Sequence, residues 1–124
     1  MRVFKTKPFA RFADHEGIED ADLCNGIRRA EQGSIDADLG GGVIKQRIAR
    51  KGQGRSGGFR SIVLFRSGER AFFVYGFAKS GRDNIRRDEL KALRKLADEM
   101  LAYDARTLAA AMRNGTIMEI RCHG

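Results

Sequence analysis

Four cations in the middle of this chain have the type and spacing to act together on one phosphate group. Lys45 and Arg47 are two residues apart in VIKQRIAR, Arg60 lies in GGFRSIVLF and Lys79 follows FVYGFA. Side chains alternate across a strand, so Lys45 and Arg47 share one face of a predicted strand and the isoleucines of that strand share the other. If the strands carrying Arg60 and Lys79 present the same face, all four cations converge on one surface.

Such a cluster can hold a phosphate and also move protons. Arginine supplies a fixed charge and bidentate phosphate contact, whereas a lysine crowded by other cations has a lowered pKa and can transfer protons. Cleavage of RNA through its own 2′-hydroxyl needs both functions, and DNA lacks that hydroxyl. The segment contains no carboxylate cluster suited to Mg²⁺, so we expect neither a metal ion nor another cofactor.

The positive charge of the protein is concentrated in residues 40–82. This segment contains ten Lys or Arg and one acidic residue, Glu69, whereas residues 1–39 carry a net charge of −2 and residues 83–124 a net charge of +1. A pI of about 10.1 is typical of nucleic-acid binders. Cations hold phosphates and aromatic rings stack on bases, so we expect a single-stranded RNA ligand. The candidate RNA-binding residues are Arg50, Lys51, Arg55, Phe77 and Arg82.

Composition and length narrow the class of protein. We expect one domain over residues 1–124, with a core of about 4–103 and a C-terminal extension over 104–124. No apolar run is long enough to cross a membrane, and the N-terminus has no secretory apolar region. Cys24 and Cys122 have no neighbouring ligand pattern, which disfavours a disulfide or a zinc site and favours a reducing cytoplasm. Cys24 fits a small buried apolar residue.

Hydrophobic periodicity and turn residues predict the order of the elements. The predicted helices are 6–16, 19–32, 83–103 with Asp88 as N-cap, and a short one over 107–113. The predicted strands are 43–50, 59–66 and 70–79, with a possible edge strand over 116–120. Residues 36–42 and 51–58 are predicted loops. The third strand is apolar on both faces, so we expect it to be central and covered on both sides. The pattern predicts an α+β fold with two N-terminal helices, an antiparallel sheet of three to four strands and a C-terminal helix.

Several motifs in this order resemble a known family. K-Q-R at 45–47, S-G-G-F-R at 56–60 and Y-G-F-A-K-S at 75–80 are similar to motifs of the RelE/ParE superfamily of type II toxin–antitoxin toxins, in its RelE/HigB-like branch. The similarity extends over about residues 4–103. It implies a small microbial RNase fold.

The resemblance also implies roles for individual residues. It implies proton transfer and phosphate binding for Lys45 and Arg47, and stabilisation of the cleaved phosphate for Arg60. Lys79 matches a cation that the family places just after the third strand, with Arg82 as the nearest substitute. Family members often add a Tyr or His near the C-terminal end as acid or base, and residues 82–103 offer no obvious match.

The function that this resemblance implies is cleavage of mRNA, commonly in the ribosomal A site, by a metal-independent endoribonuclease. The partners are then a cognate antitoxin, mRNA and the ribosome in the cytoplasm, with no membrane. The toxin is expected as a monomer or within a toxin–antitoxin hetero-oligomer. A non-enzymatic toxin that inhibits DNA gyrase or binds RNA is the alternative. A degenerate toxin that survives as a binding module is a third hypothesis.

Overall fold

The computed structural model describes residues 1–50, 54–78 and 85–122, and for residues 50 and 54–57 it describes the backbone alone. The strands are β1 (Arg2–Thr6), β2 (Ala37–Gly40), β3 (Val43–Arg50), β4 (Gly54–Arg66), β5 (Arg70–Ala78) and β6 (Ile117–Ile120). The helices are α1 (Lys7–Glu16), α2 (Asp20–Glu31), α3 (Arg87–Met100) and α4 (Ala105–Arg113). None of these helices is long and apolar enough to cross a membrane.

The six strands form one mixed sheet in the order β2-β3-β4-β5-β1-β6. All neighbouring strands are antiparallel except β1, which runs parallel to β5. The predicted α+β class is confirmed, and the three predicted central strands are β3, β4 and β5. The possible edge strand at the C-terminal end is confirmed as β6. The sheet is larger than the predicted three to four strands because β1 and β2 add to it.

Helices cover both faces of the sheet, which gives the domain two apolar layers. α1 and α2 pack on one face, where the buried residues include Leu23, Ile44 and Phe73. α3 and α4 pack on the other, where Leu64 and Phe72 are buried. β5 contributes to both layers, which confirms that it is central and covered on both sides.

The first two helices are confirmed, with local reasons for their positions. The Thr6 hydroxyl accepts from the backbone N–H of Phe9 at the start of α1. α1 ends at Gly17, whose φ of 71° is the left-handed conformation that favours glycine. In α2, a Cβ at Gly26 would lie 2.5 Å from the Ile48 side chain. Glycine therefore lets the helix lie close against β3, and a larger residue would displace the end of the Ile48 side chain.

Three predicted boundaries are wrong. α3 begins at Arg87 rather than at residue 83, and its N-cap is Arg86 rather than Asp88. The Glu89 carboxylate accepts from the Arg86 backbone N–H at 2.9 Å, which satisfies a donor at the start of the helix. The predicted loop over 36–42 contains β2, and the loop predicted for 51–58 overlaps the start of β4 at Gly54.

The expectation that the cysteines do not pair is also wrong. Cys24 in α2 and Cys122 after β6 form a disulfide, with their Cα atoms 5.5 Å apart. Cys24 is buried, as predicted. The sequence separation of 98 residues means that the bond closes most of the chain into one loop. It also fixes the segment after β6 to the helical layer that contains α2.

Candidate nucleic-acid site

Alternation along β3 and β4 places three of the four predicted catalytic cations on one face of the sheet. Ile44 and Ile48 of β3 are buried in the layer of α1 and α2, so Lys45 and Arg47 lie on the opposite face. In β4, Ile62 and Leu64 are buried in the layer of α3 and α4. Arg60 belongs to the same alternating set as these two residues.

The strand register brings two of these cations directly opposite each other. Arg47 pairs with Arg60 across β3 and β4, and Lys45 pairs with Ile62 one step along. Residues directly opposite in an antiparallel pair have Cα atoms roughly 4.5–5.5 Å apart. All three cations are only partly buried. The arrangement therefore offers two guanidinium groups and one ammonium group at adjacent positions of an accessible surface.

An acidic residue that sequence reasoning placed in a loop reaches this cluster. The Asp36 carboxylate lies 3.4 Å from Arg60 Nε, and the side chains are 27% and 16% exposed respectively. Asp36 is held there by the side chain of buried Gln46, whose Oε1 accepts from the Asp36 N–H at 3.1 Å. Gln46 Nε2 in turn donates to the carbonyl oxygens of Gly26 and Ser34, at 2.9 and 3.0 Å. This network fixes Asp36 relative to α2 and β3.

A second arginine that sequence reasoning missed stands beside Arg47. Arg29 of α2 donates from Nη2 to the backbone carbonyl of Arg47. The Nε of Arg47 is buried and has no hydrogen-bond partner within the described part of the chain. Arg29 and Arg47 line a cavity of about 380 Å³ at the edge of β3. In the sequence, Arg29 differs in nothing from an ordinary cation in the last turn of a helix.

Phe77 and Tyr75 of β5 differ in exposure, and the predicted stacking ring is the buried one. Phe77, the predicted RNA-stacking ring, lies opposite Arg60 but is only 8% exposed and belongs to the apolar layer under α3. Tyr75 is 46% exposed. Its ring centroid is 5.9 Å from that of Phe77, and it lies opposite Ile62 in the row that also contains Lys45. Tyr75 is therefore the accessible ring next to the cations.

Tyr103, the other tyrosine, does not reach this surface. Its ring meets the ring of Phe72 edge to face, with centroids 6.5 Å apart. Its backbone carbonyl accepts from Arg70 at 2.8 Å. Of the two tyrosines, only Tyr75 has its ring on the row of Lys45, and its hydroxyl is the phenol available near the cluster.

The remaining predicted site residues are not described at the level of side chains. Lys51, Lys79 and Arg82 lie outside the described residues. Arg50 and Arg55 lie in β3 and β4, and only their backbone is described. Lys79, Lys51, Arg82, Arg50 and Arg55 remain predictions from the sequence.

The described cluster has side chains that can bind an anion. Two arginines can present paired N–H groups to phosphate oxygens, and Lys45 adds a compact charge one step away. Among residues 1–50, 54–78 and 85–122, no three His, Cys, Asp or Glu side chains gather in a group that could hold a metal ion. The acid in the cluster, Asp36, is instead occupied by Arg60.

Comparison with models of known protein families finds a match over most of the chain. A family model described as the RelE toxin of the RelE/RelB toxin–antitoxin system matches residues 1–120. The matched range includes every described element, from β1 to β6. No curated protein matches the chain at a significant level.

Proposed function

Because this chain belongs to the RelE toxin family of RelE/RelB toxin–antitoxin systems, we propose that it is an endoribonuclease that cleaves mRNA on the ribosome. The observation that carries the proposal is the register of β3 and β4, which places Arg47 opposite Arg60 with Lys45 on the same face. The net charge of residues 40–82 supports a polyanionic substrate. The ribosome as the place of cleavage rests on the resemblance alone.

The proposed reaction uses the ribose 2′-hydroxyl as nucleophile. Its oxygen attacks the adjacent phosphorus while the bond from phosphorus to the 5′-oxygen breaks, which leaves a 2′,3′-cyclic phosphate and a 5′-hydroxyl. Lys45 acts as the general base for the 2′-hydroxyl. Arg47 and Arg60 stabilise the negative charge that develops on the phosphoryl oxygens.

The leaving 5′-oxygen needs a proton from a second group. Lys79 retains the role that the family resemblance implies, as a cation after β5. Tyr75 is the described hydroxyl on the row of Lys45, two strands away through Ile62. We include the Tyr75 hydroxyl as a candidate donor of this proton, alongside Lys79.

The resting protein holds Arg60 in an ion pair with Asp36, so substrate binding includes a change of partner. The phosphate takes the guanidinium of Arg60 from the carboxylate of Asp36. Until RNA binds, the ion pair with Asp36 balances the charge of Arg60. It also places a negative charge beside the site, which disfavours anions that cannot displace it.

The toxin–antitoxin family implies a cognate antitoxin partner. We propose that the antitoxin inhibits the toxin by covering the surface that contains Lys45, Arg47 and Arg60. The proposed site of action is the cytoplasm, where mRNA and ribosomes are found. The toxin acts there as a monomer and is otherwise stored in a hetero-oligomer with the antitoxin.

The test is to map the 5′ ends of transcripts after induction of the toxin in cells. Wild-type toxin should arrest growth and create new 5′ ends within coding regions, whereas Arg60→Ala and Lys45→Ala should remove both effects. Arg113→Ala and Lys91→Ala are matched controls, because these exposed residues lie on α4 and α3. Full cleavage by Arg60→Ala and Lys45→Ala would refute the site.

The same experiment separates the alternative function. Growth arrest by the wild type without new 5′ ends would indicate a toxin that does not cut RNA. DNA-damage signalling in those cells would then point to DNA gyrase as the target. Absence of growth arrest, together with tight binding of the antitoxin, would indicate a binding module.

A further inference from the structure

Among the described residues, the outer edge of β3 has a strand partner over only part of its length. β2 pairs with β3 between Val43 and Lys45, and beyond Lys45 the cavity of about 380 Å³ lies beside this edge. The cavity is lined by Arg29, Ser34, Ile35, Asp36, Gln46, Arg47 and Ala49. It therefore lies between α2 and the strand that carries the proposed catalytic cations.

The cavity is lined by donors whose hydrogen bonds are not all used. A guanidinium has five N–H donors, and for Arg29 one hydrogen bond is found in the described part of the chain, to the carbonyl of Arg47. The Nε of Arg47 is buried without a partner among the described residues. An unsatisfied buried donor is costly, so a shift of the Arg47 side chain that lets this donor meet an acceptor in the cavity is favoured.

The charges around the cavity favour an anion. Of the described residues, two arginines and one acid line it, and the acid, Asp36, already has its charge balanced by Arg60. The planar fork of each guanidinium matches the oxygens of a phosphate. The cavity lies next to the pair of Arg47 and Arg60, so its occupant is a neighbour of the group that this pair holds.

We propose that this cavity is a subsite for a second phosphate of the RNA, adjacent to the scissile one, and that Arg29 and Arg47 bind it. The inference rests on the proposed function for the identity of the ligand as RNA. It assigns a binding role to Arg29, a helix residue outside the basic central segment. With this subsite, the protein contacts the RNA on both sides of β3. These two contacts set the direction in which the RNA runs past Lys45.

The experiment measures the affinity of the wild-type protein and of Arg29 variants for a short RNA with 2′-deoxyribose at the cleavage position. Arg29→Gln should weaken binding about tenfold, as expected for lost hydrogen bonds to a charged group. The slope of log affinity against log salt should fall by about 0.7, the value for one phosphate contact with a single strand. Arg113→Gln, which removes the same charge from the exposed end of α4, should change neither quantity.

A scan of single neutral methylphosphonates along the RNA identifies the phosphate concerned. In the wild type, one position next to the scissile phosphate should weaken binding about tenfold, and in Arg29→Gln that same position should have no further effect. Arg29→Lys keeps the charge, so it should retain the salt slope while losing part of the affinity. Loss of structure alone would weaken binding equally at all positions, which the scan distinguishes.

The outcomes separate the subsite from the proposed function. The subsite is overturned if Arg29→Gln binds like the wild type, if no single methylphosphonate is selectively suppressed by the variant, or if the wild type does not bind the RNA. An effect of Arg29→Gln on antitoxin affinity alone would also overturn it and assign the cavity to an acidic protein partner. Failure of the proposed function is recognised independently, by Arg60→Ala cutting mRNA as well as the wild type.

Discussion

Replacing Asp36 by Asn should strengthen RNA binding while it weakens the fold. The carboxylate of Asp36 and the Nε of Arg60 are 3.4 Å apart, and both side chains are partly exposed. At an effective dielectric constant of about 20, two charges at this distance attract by roughly 5 kcal/mol before their desolvation is counted. Measured ion pairs in such settings contribute about 1 kcal/mol net to stability.

The net contribution of the ion pair to stability gives the size of the change in both stability and RNA affinity. Asp36→Asn should lower the free energy of unfolding by about 1 kcal/mol, as measured by urea denaturation. The RNA no longer has to displace the carboxylate from Arg60, so its affinity should rise by the same free energy, about fivefold. The affinity is measured by fluorescence anisotropy with an RNA that carries 2′-deoxyribose at the cleavage position.

The matched control is Asp38→Asn in β2, two residues further along the chain. It removes the same charge, and asparagine retains the oxygen that accepts from the Gly40 N–H at 3.0 Å. A gain in affinity for Asp36→Asn that Asp38→Asn does not share would support the exchange of partners. Equal affinities for Asp36→Asn and the wild type would refute the idea that Asp36 and phosphate compete for Arg60.

Three further predictions concern other parts of the protein. Tyr75→Ala should weaken RNA binding by at least about fivefold, because a stacking ring contributes roughly 1–3 kcal/mol. Tyr75→Phe keeps the ring and should bind RNA like the wild type. Equal losses of RNA affinity in the two variants would exclude stacking. Reduction of the disulfide between Cys24 and Cys122 should lower the free energy of unfolding by about 2–5 kcal/mol, because the disulfide closes a long loop. In urea denaturation, Cys122→Ser should have this lower stability and should not respond to reductant. The bidentate contact with Arg2 lowers the pKa of Glu119 below its ordinary 4.5. The contribution of Glu119 to the free energy of unfolding is therefore present above pH 4.5 and is lost as the pH falls through the lowered pKa. Glu119→Gln should flatten this part of the curve of unfolding free energy against pH, and an unchanged curve would contradict the assignment.

The central strands and their cationic face could be predicted because the signal is local. Alternation of Ile44, Lys45, Gln46 and Arg47 along one strand determines which side chains share a face. The same pattern applied to Arg60 placed it correctly. The register that sets Arg47 opposite Arg60 follows the hydrophobic pattern of β3 and β4, whose alternating apolar side chains enter the two buried layers.

The acid that balances Arg60 could not be predicted, because its position depends on contacts far apart in the chain. β2 is the four-residue stretch Ala-Asp-Leu-Gly, which has low intrinsic strand propensity and forms through pairing with β3. Asp36 is placed by Gln46, whose amide is buried between α2 and the sheet. β1 was missed for a similar reason, since its five residues are stabilised by β5 and β6 on either side.

The disulfide and the roles of the aromatic rings also depend on tertiary structure. Two cysteines far apart in a sequence reveal nothing about their distance in space, and here α2 and the end of β6 bring their Cα atoms to 5.5 Å. The register shift between Ile62 and Val63 in the pairing of β4 with β5 brings both Tyr75 and Phe77 to the face of Ile62, where Tyr75 is exposed and Phe77 is buried. Such a shift changes which residues of β5 reach each face, and the sequence carries no clear sign of it.

The most direct test of the proposed mechanism is cleavage of a ribosome-bound mRNA in which one ribose, on the 5′ side of the cut, is replaced by 2′-deoxyribose. Attack by the 2′-hydroxyl on a phosphate held by Arg47 and Arg60 predicts that wild-type protein cuts the all-ribose mRNA, leaves a 2′,3′-cyclic phosphate and does not cut the substituted position. Cleavage of the substituted mRNA at the same position and rate would contradict the mechanism.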